Sequence, residues 1–116
     1  MIFTKNDIFY ERAEIAMKKV IHGKLYDTDT AECVAAWSNE AYDSIDYCSE
    51  SLYRKRTGEF FLYGDGGPKS PYSLRRGSFI YGNSVIIPYS DAEAKEWVEE
   101  HCGGDKYIEI FGEVEE

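Results

Sequence analysis

A single-stranded nucleic acid asks two things of a protein surface: cations for its phosphates and flat rings for its bases. The stretch Glu50 to Ser70, ESLYRKRTGEFFLYGDGGPKS, supplies both, with Tyr53, Arg54, Lys55, Arg56, Phe60, Phe61 and Tyr63 in close succession. Arg75 and Arg76 follow in SLRRG. Two features oppose that chemistry. Glu59 stands across the Thr57-Gly58 turn from Arg56, and the sequence pI is 4.7, whereas basic nucleic-acid domains lie above about 9. A sheet core with an ion-paired rim explains the same residues more simply.

Other chemistries find less support. Gly64-Asp65-Gly66-Gly67 lacks the Gly-Lys-Ser/Thr end and following helix of a phosphate loop, and reads as a turn. Asp27, Asp29 and Glu32 are oxygen donors of the kind hard cations take. Their spacing fits no calcium loop, and an Asp- and Thr-capped turn accounts for them. His101 falls on the apolar stripe of its own helix, with no nucleophile and orienting acid beside it in a recognisable pattern. Cys33, Cys48 and Cys102 are odd in number and widely spaced, which suits free thiols rather than a disulfide framework or a zinc site. No enzyme, cofactor or metal is expected.

Charge is segregated along the 116 residues, whose formal net charge is -9. Residues 25–51 hold seven acids and no Lys or Arg, and residues 89–116 hold ten acids against two Lys. Between them, residues 52–88 carry six basic and two acidic residues. Such blocks polarise a surface, steer it toward a basic partner and repel free nucleic acid. An apolar content of 43% with 16% aromatics suffices for a core. No apolar run approaches the ~20 residues of a membrane span, and the charged N-terminus is no secretory signal. A cytoplasmic protein is expected.

These residues call for an α+β fold: a small antiparallel sheet of two hairpins plus one or two strands, with N-terminal and C-terminal helices packed on it. One domain spans 1–116, with an N-terminal helix within 1–23 and an α+β core over 24–116. The periodicity of Ile8, Ile15 and Val20 predicts the first helix over Asp7–Ile21, stopped by Gly23. Lys24–Thr28 reads as a strand, Ala31–Trp37 as a strand in preference to a short helix, and Ser38–Asp46 as loop. Ser51–Arg56 and Glu59–Tyr63 form the central hairpin on a two-residue turn, pairing Arg54 with Phe61 and Tyr53 with Leu62. Phe79–Tyr81 and Val85–Ile87 flank Gly82-Asn83 as a second hairpin, closed by Pro88. Ser90-Asp91-Ala92-Glu93 is a capping box opening a helix with Ala94, Trp97, Val98 and His101 on one stripe. In the tail KYIEIFGEVEE, Tyr107, Ile110, Phe111 and Val114 fit helical spacing while Tyr107, Glu109 and Phe111 also fit a strand, and the short helix is the favoured reading.

Three segments, KLYDTDTA, LYRKRTGEFFLYGDGGPKSPYS, and IIPYSDAEAKEWVEEH followed by YIEIFGEVEE, are similar to a group of small acidic proteins carried on bacterial mobile elements. That group includes anti-CRISPR proteins directed against the Cas9 of type II-A systems, phage-borne inhibitors among them. The resemblance runs from Lys24 to Glu116. It implies a non-enzymatic protein acting in the host bacterial cytoplasm on Cas9 or its guide RNA complex, with no cofactor and no catalytic residue to carry over. Cas9 holds its guide and target in basic channels. The acids fitted to such a channel are Asp27, Asp29, Glu32, Glu93, Glu96, Glu99 and Glu100, the last four on one flank of a helix. The other class is a nucleic-acid-binding accessory protein of a mobile element, contacting RNA through Arg54, Lys55, Arg56, Arg75 and Arg76 beside Tyr53. A homodimer stays open in both.

Overall fold

A computed structural model describes residues 17–116 of the chain. Over these residues the fold is α+β: eight strands in three antiparallel sheets, followed by two helices. In order these are β1 (Lys18–Ile21), β2 (Lys24–Asp27), β3 (Glu32–Ser38), β4 (Cys48–Arg54), β5 (Phe60–Gly66), β6 (Leu74–Arg76), β7 (Phe79–Tyr81), β8 (Asn83–Tyr89), α1 (Asp91–His101) and α2 (Gly104–Phe111). The main sheet runs β3-β4-β5-β8, so the hairpin of the aromatic stretch is central, as its two apolar faces require. No described helix is long and apolar enough to cross a membrane.

Each face of the main sheet has its own core. Leu52, Phe60 and Leu62 point one way and pack with Ala35 against Ala94, Trp97 and Val98 of α1. Phe61 and Ile86 point the other way and pack with Tyr26 of β2, flanked by Met17, Ile21, Tyr53 and Tyr63. The period-two alternation of β5 thus fills two cores from one strand. Truncating Leu62, which is fully enclosed, to Ala is expected to cost about 2–5 kcal/mol.

The N-terminal helix is corrected where the structure describes it. Its span through residue 16 lies outside the described residues, and Lys18–Ile21 are strand β1, paired with β2 from Lys18↔Asp27 to Ile21↔Lys24. Gly23 does not stop a helix. With His22 at φ 52° and Gly23 at φ 78°, it makes the tight left-handed turn that joins two strands of right-handed twist.

The central hairpin is real but its register is one residue away from the expected one. The loop is three residues, Arg56-Thr57-Gly58, because the Gly58 N–H donates to the Lys55 carbonyl and the Lys55 N–H to the Glu59 carbonyl. Gly58 takes φ 92°, the positive value a bulged turn needs. Tyr53 therefore opposes Phe61, and Arg54 opposes Phe60. A one-residue slip exchanges faces, so Tyr53 shares a side with Phe61 rather than with Leu62.

Two further expectations give way. Gly64-Asp65-Gly66 is strand, not loop, paired with Ser84 and its neighbours on one side and Ser49 on the other. A Cβ on Gly64 would run into the Tyr72 ring. Phe79–Tyr81 pairs backward with Leu74–Arg76 as an isolated two-stranded sheet, while Asn83–Tyr89 pairs with β5. The burial of Ile86 against Phe61 outweighs the local turn at Gly82-Asn83. Pro88 lies inside β8 rather than ending it, which an edge strand tolerates. The C-terminal expectations stand: Ser90 and Glu93 complete both halves of the capping box, and α2 is a short helix.

Candidate functional site

Helix α1 presents three carboxylates to one recess. It starts at the Ser90 cap, so Ala94, Trp97 and Val98 turn into the core and the Glu side chains at three- and four-residue spacing turn out. Glu93, Glu96 and Glu100 line a hollow of about 200 Å³ together with Tyr89 of β8 and Trp97. Glu93 is partly engaged, its Oε1 accepting from the Ser90 N–H over 2.8 Å. Among the described residues Glu96 and Glu100 have no ion-pair partner. Burial, then the Glu50, Glu93, Glu100 and Glu96 carboxylates, raise the Tyr89 hydroxyl above its ordinary range. The hollow is thus a negative pocket with an aromatic floor.

That floor is held from beneath by a residue that its sequence neighbours do not single out. Glu50 of β4 alternates with Leu52 on the helix-covered face, and its side chain is 16% exposed. Its Oε1 accepts the Trp97 indole N–H over 2.8 Å, and its Oε2 accepts the Tyr72 hydroxyl. Burial and this bond hold the Tyr72 hydroxyl protonated far above neutral pH. The His101 ring stacks on Trp97 at 4.7 Å and lies 4.9 Å from Trp37. Its Nε2 stands 3.8 Å from Glu50 Oε1, and its Nδ1 lies 2.9 Å from the Trp97 carbonyl. A carboxylate with satisfied donors on both oxygens orients its neighbours. The signal that could have found it was an acid at the inward period of a strand, facing a tryptophan that needs an acceptor.

The other acids are not brought to this recess. Glu99 lines a separate hollow of about 490 Å³ with Cys102, Gly103, Gly104, Tyr107, Ile108 and Val114. Asp27 is buried, 3.8 Å from Lys18 Nζ, and accepts the Asp29 N–H over 2.9 Å, so it braces the turn after β2. Asp29 is exposed on that turn. Glu32 pairs with Arg54 at 3.4 Å and faces Lys106 and Glu109 of α2 across a third hollow.

The basic residues also divide. Arg54 donates to Glu32 and, over 3.3 Å, to the Ile110 carbonyl, fixing α2 to the sheet. Lys55 Nζ sits 3.7 Å from the Tyr26 ring centroid and 3.3 Å from Glu59. Tyr53 stacks on Phe61 at 5.2 Å and 8°. These three are committed to structure. Arg56 at the loop tip and Arg75 and Arg76 on the β6–β7 hairpin are exposed.

No protein-family model, curated protein or solved structure matches the chain. The site's chemistry therefore rests on its own geometry. Among the described residues no group of three or more His, Cys, Asp or Glu is arranged to hold a metal ion. What the recess offers is a fixed aromatic floor and unpaired carboxylates, a surface suited to a cationic partner.

Proposed function

We propose that the protein is a non-enzymatic inhibitor of a type II-A Cas9 effector. It binds the effector directly in the host bacterial cytoplasm, laying the acidic flank of α1 into a basic nucleic-acid channel and obstructing guide RNA or target DNA loading. The observation that carries this reading is the convergence of Glu93, Glu96 and Glu100 on one recess floored by Tyr89 and Trp97. Carboxylates at successive turns of a helix offer regularly spaced negative charge, which is what a channel built for a phosphate backbone accepts. Tyr89, half-buried beside these carboxylates, is an aromatic of the kind that anchors protein interfaces, while Trp97 beneath it keeps the recess rigid. The likeness of the Lys24–Glu116 segments to mobile-element proteins that include such inhibitors points the same way.

The experiment is target-DNA cleavage by purified type II-A Cas9, with the protein added before or after guide RNA. Loss of cleavage only when it is added first means obstruction of guide loading; loss in both orders means obstruction of target recognition or cleavage. The Glu93→Gln/Glu96→Gln/Glu100→Gln variant should lose inhibition and binding while keeping its unfolding midpoint. Full cleavage in both orders across several orthologues, or a triple variant as potent as the parent, would overturn the reading.

A further inference from the structure

The β6–β7 hairpin is unlike the rest of the molecule. It is an isolated two-stranded sheet, and Arg75 through Gly82 are all exposed. Two strands alone are marginal in water, yet this pair displays Phe79 at 65%, Ile80 at 43% and Tyr81 at 48% exposure. Its register pairs Leu74 with Tyr81 and Arg76 with Phe79, which puts Arg76, Phe79 and Tyr81 on one face and Arg75 with Ile80 on the other. The Phe79 and Tyr81 rings stand side by side, centroids 6.2 Å apart and 32° between planes.

The electrostatics around it are equally distinct. Residues 66–90 contain no Asp or Glu, the longest acid-free run in the chain, and carry Lys69, Arg75 and Arg76. Among the described residues none of the three has an ion-pair partner, whereas Arg54 and Lys55 of the central hairpin are both paired. Among the described residues this hairpin thus joins unpaired cations to adjacent exposed rings, in a protein of net charge -9.

We infer that the β6–β7 hairpin is a contact for single-stranded nucleic acid, with unstacked bases lying on Phe79 and Tyr81 and backbone phosphates taken by Arg75 and Arg76. A polyanion satisfies the charges, and bases satisfy two flat rings as well. The acidic recess on α1 of a second copy would satisfy the charges but offers the two rings only the half-buried Tyr89, since Trp97 is buried. This inference stands on the hairpin and is independent of the acidic recess.

The test is a fluorescence-anisotropy titration of the full chain against a fluorescein-labelled oligouridine and the matching DNA strand, at several salt concentrations. The parent should bind saturably. Phe79→Ala/Tyr81→Ala should weaken binding by about tenfold or more. Arg75→Gln/Arg76→Gln should lower the slope of log affinity against log salt by roughly 0.7 for each phosphate left without its arginine. All four side chains are exposed, so the urea midpoints should match the parent's. Absence of saturable binding, or aromatic variants that bind like the parent, would overturn the inference. So would concentration-dependent self-association in sedimentation that the aromatic variant abolishes while anisotropy stays flat, since that would assign the face to a second copy.

Discussion

The Trp97 indole donates to Glu50 across 2.8 Å, tying the helix that carries the acidic recess to the second strand of the sheet beneath it. Tyr72 donates to the other oxygen of the same carboxylate, so one side chain of β4 orients two rings from distant segments.

Removing that carboxylate strands both donors. Glu50→Ala should lower unfolding stability by about 1–3 kcal/mol, the cost of leaving partly buried donors unsatisfied. Urea unfolding followed by tryptophan emission would report it, with the emission shifted in the folded state as the indole loses its acceptor. Glu50→Gln, which keeps an acceptor oxygen, should recover part of the loss.

The same pairing of strand and ring makes Gly64 intolerant of a side chain. Its φ is not in the left-handed region, so the obstacle is space: a Cβ would enter the Tyr72 ring. Gly64→Ala should cost about 1–3 kcal/mol by overpacking, and Tyr72→Ala in the same chain should relieve the clash. A double-mutant cycle in urea that showed simple additivity would count against this.

Glu59 sets an acid limit. Its hydrogen bonds to Lys24 at 2.6 Å and Lys55 at 3.3 Å lower its pKa from 4.5 to about 2. A carboxyl depressed in the folded state contributes stability above its unfolded pKa and loses it as pH falls through the folded one. The parent should therefore lose stability between pH 4.5 and about 2 more steeply than Glu59→Gln. Unfolding midpoints measured across that window for both proteins would show converging curves toward the acid end.

The thiols should be sluggish nucleophiles. Loss of hydration raises the thiols of exposed Cys33, buried Cys48 and half-buried Cys102 above the ordinary range, and the thiolate is the reactive form. Alkylation by iodoacetamide at neutral pH should be slower than for free cysteine at all three, and slowest at buried Cys48. Mass spectrometry of a timed reaction would rank them.

What the sequence disclosed was mostly local. Ser90 and Glu93 sit three residues apart, and a capping box needs nothing else to form. The inward stripe of Ala94, Trp97 and Val98 is visible for the same reason. The central hairpin was legible as a hairpin, but Arg56-Thr57-Gly58 accommodates either a two- or a three-residue loop. The choice was made elsewhere, by Leu52 and Leu62 meeting α1. The pairing of β8 with β5 was hidden because it joins Ile86 to Tyr63 past an intervening hairpin. Glu50 was hidden because its meaning lies in Trp97 and Tyr72, far along the chain. Of the acidic residues read as one surface, Glu93, Glu96 and Glu100 share a recess; the remainder serve turns, ion pairs or another hollow.

The two borders of the main sheet differ from its interior in a way that bears on solubility. On β8, Pro88 has no amide hydrogen to offer an incoming strand. On β3, the pairing shifts between Cys33 and Ala35, so the outer ladder is kinked there and offers a poor template. A sheet rich in aromatic and branched residues is otherwise a seed for edge-to-edge stacking into fibrils. Here both open rows of backbone groups are interrupted, which guards a concentrated solution of the folded chain against polymerising through its own strands.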